Sequence, residues 1–339
     1  HWWRDWTQKP VTAMKQEFAT ILANGGRTFL GDISYHRTGM PDPAVLANAG
    51  EAFALAREIE PYVRDAQPVP DLAILNSAQS HYLGTHSTNA DPIPVKGAHL
   101  ALLEDGLYAH LLTEEDLPAR LGEYRALVVP EQPHLNQRSV AAIRDFVHAG
   151  GGLVVTGDTP LWEILGVERL GLAEGDRHYF VSAQQDLNPP DEVQYPPRLV
   201  HGPTVLTRAT TAVVLGAHVA PLAGAPPHSG PPPTEPSGHP AITLNQYGAG
   251  WAAFVALPIA SDLWARGHAA LAHVLCGLVR RVCTPLAELE AEGPVEMTLL
   301  RRGDALLVHR VGYGASRHPG RPPTVSAVAA NPEVTLRLR

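Results

Sequence analysis

Few residues in this chain combine a reactive type with a telling position. Asp32 follows the short apolar run 28–31, and β/α barrels keep their catalytic side chains where strands end. Glycoside hydrolysis needs two carboxyl groups flanking the bond, yet residues 1–66 place only Asp32 at a strand end. The pair cannot be completed within this chain, and the competing reading of Asp32 is a helix-cap or loop-ordering aspartate. His36 lies in the loop after Asp32, and His81, Tyr82 and His86 lie in a second long loop that leaves the apolar run 71–75. Their polar and aromatic groups suit sugar hydroxyls or subunit contacts, because ligands of open α/β sheets bind at the carboxyl ends of strands. Ordinary loop packing is the competing reading. Trp2, Trp3 and Trp6 could stack on sugar rings or simply pack against the protein.

Other chemistries find no support. His81 and His86 have no third and fourth partner at zinc-binding spacing, so no metal is expected. No G-x-S-x-G elbow occurs, and no cysteine precedes Cys276, which removes the usual acyl-transfer nucleophiles. Gly150, Gly151 and Gly152 follow a helical pattern and precede a strand, the wrong order for a phosphate loop, and are read as a helix stop. Cys276 and Cys283 share a helical apolar pattern, too far apart for a disulfide, and are read as core fillers. No cofactor is implied.

These residues sit in a chain of 339, long enough for two domains and a smaller third piece. Hydrophobic residues make up 45% and charged residues 18%, as in a globular protein. The net charge of -8, with only three lysines, argues against a nucleic-acid partner. No apolar run is long enough to span a membrane. Scarce cysteine fits a cytoplasmic protein. The chain opens on His1 with neither a basic start nor an apolar stretch, so its amino terminus reads as cut.

Apolar spacing predicts helices over 10–24 and 43–62, with a strand at 28–31 between them. The prolines of 66–70 make a linker. Strands at 71–75, 126–130 and 152–156 then alternate with helices, one running through Leu100, Leu103, Leu107 and Leu111 and another over 138–149, which predicts a parallel sheet. Residues 226–240, with seven prolines, read as a surface excursion, 241–256 as a hairpin and 262–282 as one long helix. From residue 284 onward, alternation predicts a small antiparallel β piece. The expected division is 1–66, 67–283 and 284–339.

Three stretches carry a resemblance. The first is Thr7, Gln8, Lys9 and Pro10 with 19–27 and Leu30, Gly31 and Asp32; the second is 127–130 with 146–157; the third is Pro240, Ala241 and Ile242 with 247–250, followed by 306–309. Together they resemble bacterial glycoside hydrolases related to β-galactosidases and α-L-fucosidase-like enzymes that carry a β-galactosidase trimerisation domain. The resemblance implies an α/β chain: the end of a β/α barrel, an amidotransferase-like, flavodoxin-like parallel-sheet domain without catalysis, and a small antiparallel β domain. It also implies a homo-oligomer, a trimer, and a carbohydrate substrate in a full-length enzyme whose barrel precedes His1. No catalytic residue is carried over. His309 is followed by Arg310, Val311, Gly312 and Tyr313, where the family tends to have an asparagine before the tyrosine. The alternative is an independent α/β carbohydrate-binding or regulatory protein.

Overall fold

The computed structural model describes residues 10–31, 40, 42–83, 92–224, 231–291, 295–312 and 334–339. Trp3, Trp6, Asp32, His36 and His86 lie outside them. The chain divides into two compact units: one holds residues up to Val69 with Gly106–Tyr108 and Ala287–Leu338, and the other holds Pro70–Asp105, Ala109–Leu286 and Arg339.

The larger unit is built on a nine-stranded sheet in the order Ala109–Thr113, Leu72–Asn76, Ala126–Pro130, Gly152–Thr156, Gly250–Val255, Pro233–Tyr247, Val213–Pro221, Arg177–Val181 and Arg198–His201. The first five strands are parallel and the last four pair antiparallel, so the expected parallel sheet forms only half of a mixed one. Every residue of Ala126–Pro130 and Gly152–Thr156 is buried, which is why both read as unbroken apolar runs. The helices Ile93–Glu104, Ile259–Arg266 and Ala269–Val282 pack on one another. The second and third were expected as a single helix, but Gly267, at φ 70°, ends the first of them. Helix Gln137–His148 stops at Gly150 and Gly151, whose amides close on the Val147 and Phe146 carbonyls at 3.0 and 2.9 Å.

Two further expectations are corrected here. The helix expected through Leu107 and Leu111 ends at Glu104, and Leu111 lies instead on the edge strand Ala109–Thr113. Gly106, at φ 71°, turns the chain, since a helix cannot continue through a left-handed residue. In the proline-rich stretch, Pro233–Tyr247 is a strand rather than a free excursion. Its prolines fall where the ladder to Val213–Pro221 repeatedly shifts register, so their missing N–H groups break no regular pairing.

In the smaller unit, helices Val11–Ala23 and Pro43–Val63 pack through Met14, Phe18, Leu22, Ala52 and Ala56, with the Phe18 and Phe53 rings edge to face at 5.1 Å. The Asp42 carboxylate accepts the Ala44 amide at 2.8 Å and caps the second helix. The expected antiparallel β piece is the hairpin Val295–Arg302 and Ala305–Gly312, joined by Gln67–Pro68, with Ala287–Ala291 paired to Val334–Leu338. The Gln16 amide donates to the Gly312 carbonyl and the Thr298 hydroxyl to the Ala23 carbonyl. Residues 28–31 form no strand: they pair with no neighbour among the described residues, and Phe29 is 87% exposed. A strand exists only through its ladder, so a lone apolar run remains a loop.

Candidate functional site

In an open α/β sheet the ligand crevice lies outside the carboxyl ends of the strands, where strand order reverses. Here the chain passes from Leu72–Asn76 outward to Ala109–Thr113 and then returns to Ala126–Pro130 on the other side. The reversal therefore lies between Ser77, the first residue beyond one of these strands, and Gln132, the second beyond the other. Both are buried, as is Glu114 beyond the third.

A single polar network fills this position. The Ser77 hydroxyl donates to one oxygen of Glu114. The other oxygen accepts the Asn136 amide at 3.2 Å, the Asn136 side-chain amide, and the Ser139 hydroxyl at 3.2 Å. Gln132 accepts the Ser77 amide at 3.2 Å and donates to the Pro130 carbonyl at 2.9 Å. The Ser80 hydroxyl donates to the His134 carbonyl at 2.5 Å. Asn136 in turn caps helix Gln137–His148 through the Ser139 amide at 2.8 Å. The carboxylate at the crevice thus closes internal bonds, and each hydroxyl is engaged by a carboxylate or a carbonyl.

Between Pro130 and Gln132, at the end of the strand Ala126–Pro130, Glu131 occupies a left-handed backbone at φ 51°. Its carboxyl accepts the Ala260 amide at 2.9 Å, the Ser261 amide at 3.1 Å, the Ser261 hydroxyl, and the Thr156 hydroxyl at 3.2 Å. Burial pushes its pKa above the ordinary carboxylate value, and these hydrogen bonds pull it back only in part. Glu131 therefore anchors the start of helix Ile259–Arg266 to two strand ends. Asp262, fully buried on that helix, pairs with Arg266 at 2.5 Å and His201 at 3.2 Å. Among the described residues no three His, Cys, Asp or Glu side chains are grouped to hold a metal ion.

His81 and Tyr82 lie on the short helix Ala78–Leu83, directly after Ser77. Their rings meet edge to face at 5.1 Å, and Tyr82 is 79% exposed. They stand beside the filled crevice, to which the His81 amide is tied through the Ser77 carbonyl at 3.1 Å. The residues that build the crevice were missed in the sequence: Ser77, Glu131 and Gln132 lie within two residues of a predicted strand end, the one signal that could have found them, whereas Glu114 follows the strand Ala109–Thr113, which reads in the sequence as part of a helix.

A mixed sheet of this order, covered by helices, relates the chain to glycoside hydrolases of the fucosidase and β-galactosidase kind at the level of fold. Among solved structures, α-L-fucosidase isoenzyme 2 from Paenibacillus thiaminolyticus matches 100% of this chain and 52% of its own, with a TM-score of 0.80 and 20% identity. The β-galactosidase from Bacillus circulans sp. alkalophilus matches 81% of this chain and 40% of its own, with a TM-score of 0.60 and 18% identity. The cold-adapted β-galactosidase from Rahnella sp. R3 matches 98% of this chain and 52% of its own, with a TM-score of 0.58 and 15% identity. The chain thus spans about half the length of these structures or less. No protein-family model matches the sequence, and no curated protein does. The resemblance to β-galactosidase and α-L-fucosidase-like enzymes agrees with this shared fold, and identities of this size speak to the fold alone.

Proposed function

We propose that the chain is a non-catalytic region of a cytoplasmic glycoside hydrolase, in which the nine-stranded unit serves subunit assembly, as a trimer, and its loops border a sugar site. In this reading 1–66 is the end of a β/α barrel, 67–283 the assembly domain and 284–339 an accessory β domain. The observation that carries it is the closed crevice: where such a sheet would hold a ligand, Glu114 and Glu131 spend both oxygens on internal bonds. The match of all of this chain to about half of the fucosidase structure supports its being one region of a larger enzyme.

A panel of aryl glycosides with the purified chain is expected to show no turnover, since Asp32, the one carboxyl the sequence singles out as a candidate, cannot serve as both acid and base. Turnover that scales with protein and survives Asp32→Asn would overturn the absence of catalysis. Sedimentation at several concentrations is expected to show self-association, and a monomer throughout would overturn the assembly role.

A further inference from the structure

The antiparallel half of the large sheet buries two histidines that none of the foregoing uses. His178, on Arg177–Val181, and His218, on Val213–Pro221, are each 2% exposed. They share an apolar face: His178 stands opposite Val200, and His218 opposite Phe180, both fully buried. His178 Nδ1 lies 3.1 Å from His218 Nε2, and His218 Nδ1 lies 2.8 Å from the Ser237 hydroxyl oxygen. That hydroxyl donates to the His218 carbonyl at 3.2 Å, and its oxygen also receives the His239 amide at 3.4 Å. Among the described residues, His178 Nε2 is buried with no hydrogen-bond partner.

Counting protons settles what this relay tolerates. A neutral pair carries two ring protons. One occupies the contact between the rings, and the other runs from His218 Nδ1 to Ser237, so that His178 Nε2 is bare. A singly charged pair carries three. The contact still takes one and Ser237 one, so the third is forced onto His178 Nε2, which makes no hydrogen bond among the described residues, and a charge stands on an apolar face.

We propose that this relay is an acid-release latch: on acidification the outer strands Arg177–Val181 and Arg198–His201 let go of Val213–Pro221, while the five parallel strands stay paired. The junction they would leave is short, with only Ala217, His218 and Val219 paired to Val181, Phe180 and Tyr179. Burial, then the neighbouring His178 and His239, hold His218 down at about 4. His178 is also lowered by burial, which outweighs the Gly175 carbonyl and the Asp176 carboxylate on the preceding turn. Arg177 and His201, paired across the ladder, alternate to the opposite face of their strands. A histidine lowered in the folded state makes its full contribution above about 6.5 and loses it as pH falls toward about 4.

Amide hydrogen exchange on the whole chain, corrected for the intrinsic pH dependence of exchange, tests the latch. Protection of 177–181 and 198–201 is expected to fall about tenfold or more per pH unit between those values, one to two protons' worth, with 126–130 and 152–156 unchanged. In the double variant His178→Gln, His218→Gln, neither of whose side chains can charge, that slope is expected to vanish. If this variant does not fold, nitrogen-15 shifts of the wild-type rings at pH 7.5 serve instead: His178 Nε2 is expected bare and His218 Nδ1 protonated. Protection independent of pH, equal loss across the whole sheet, a slope that persists in the variant, or a proton on His178 Nε2 at pH 7.5 would each overturn the proposal.

Discussion

Glu131 combines two unfavourable features, a left-handed backbone and a carboxyl held out of water. The first costs about 1–2 kcal/mol for a residue with a Cβ. Its bonds to the start of helix Ile259–Arg266 offset that cost, because the first amides of a helix have no partner within it. Glu131→Gln keeps an acceptor for both amides and is expected to stay within about 1 kcal/mol of the wild type at neutral pH, whereas Glu131→Ala orphans them and is expected to lose about 1–3 kcal/mol. A carboxyl with a raised folded-state pKa stabilises most below its ordinary value and less as pH rises through the folded one, so the Gln variant should gain on the wild type with rising pH. Urea titrations of both variants across pH check this; a Gln variant as damaged as the Ala variant would show that charge, not hydrogen bonding, holds the helix. The run Pro130, Glu131, Gln132 was visible in the sequence as the end of a strand. Its role was not, since nothing in a glutamate announces a positive φ, and its partners lie about 130 residues further along.

Elements whose apolar pattern matched their environment were legible, and those set by a single backbone position or a distant partner were not. Ala126–Pro130 and Gly152–Thr156 are buried on both faces and need only length and hydrophobicity to be recognised. Leu100, Leu103, Leu107 and Leu111 fit a helical period across a turn at Gly106, and the spacing cannot tell that the backbone changes hand between them. Glycines separate two such causes cleanly. At Gly97, on Ile93–Glu104, a Cβ would lie 1.9 Å from the Ala260 carbonyl oxygen, so two helix backbones would have to move apart. At Gly267 the space is open and only the φ of 70° resists a side chain. Gly97→Ala is therefore expected to lose about 3 kcal/mol or more through overpacking, and Gly267→Ala about 1 kcal/mol through strain alone. Calorimetry of the two variants decides it: equal losses would mean that the helices yield at Ala260 without cost.

At the scale of the whole chain, local patterning says nothing about which remote segments meet. Gln67 and Pro68 pair with Arg301 and Leu300, and the Val69 amide reaches the Leu299 carbonyl at 2.9 Å, joining ends of the sequence that carry no mark of each other. The large sheet, by contrast, lies within one nearly continuous stretch. Its nine strands and the helices packed beside them fall between Pro70 and Leu286, and its strand cores, from Leu72 to Val255, are closed to water. A fragment 70–286 should therefore bury most of its own apolar surface and fold alone, as domains of that size do. The segments 1–69 and 287–339 should not fold separately: the first has a two-helix core of five buried side chains, and the second is a hairpin with one further strand pair. Circular dichroism and urea unfolding of the three fragments test this, with one cooperative transition expected for 70–286 and none for either remainder. A 70–286 fragment that binds hydrophobic dye and unfolds without a transition would mean that the sheet needs the smaller unit to reach its packed state, and the two would then have to be treated as one folding body.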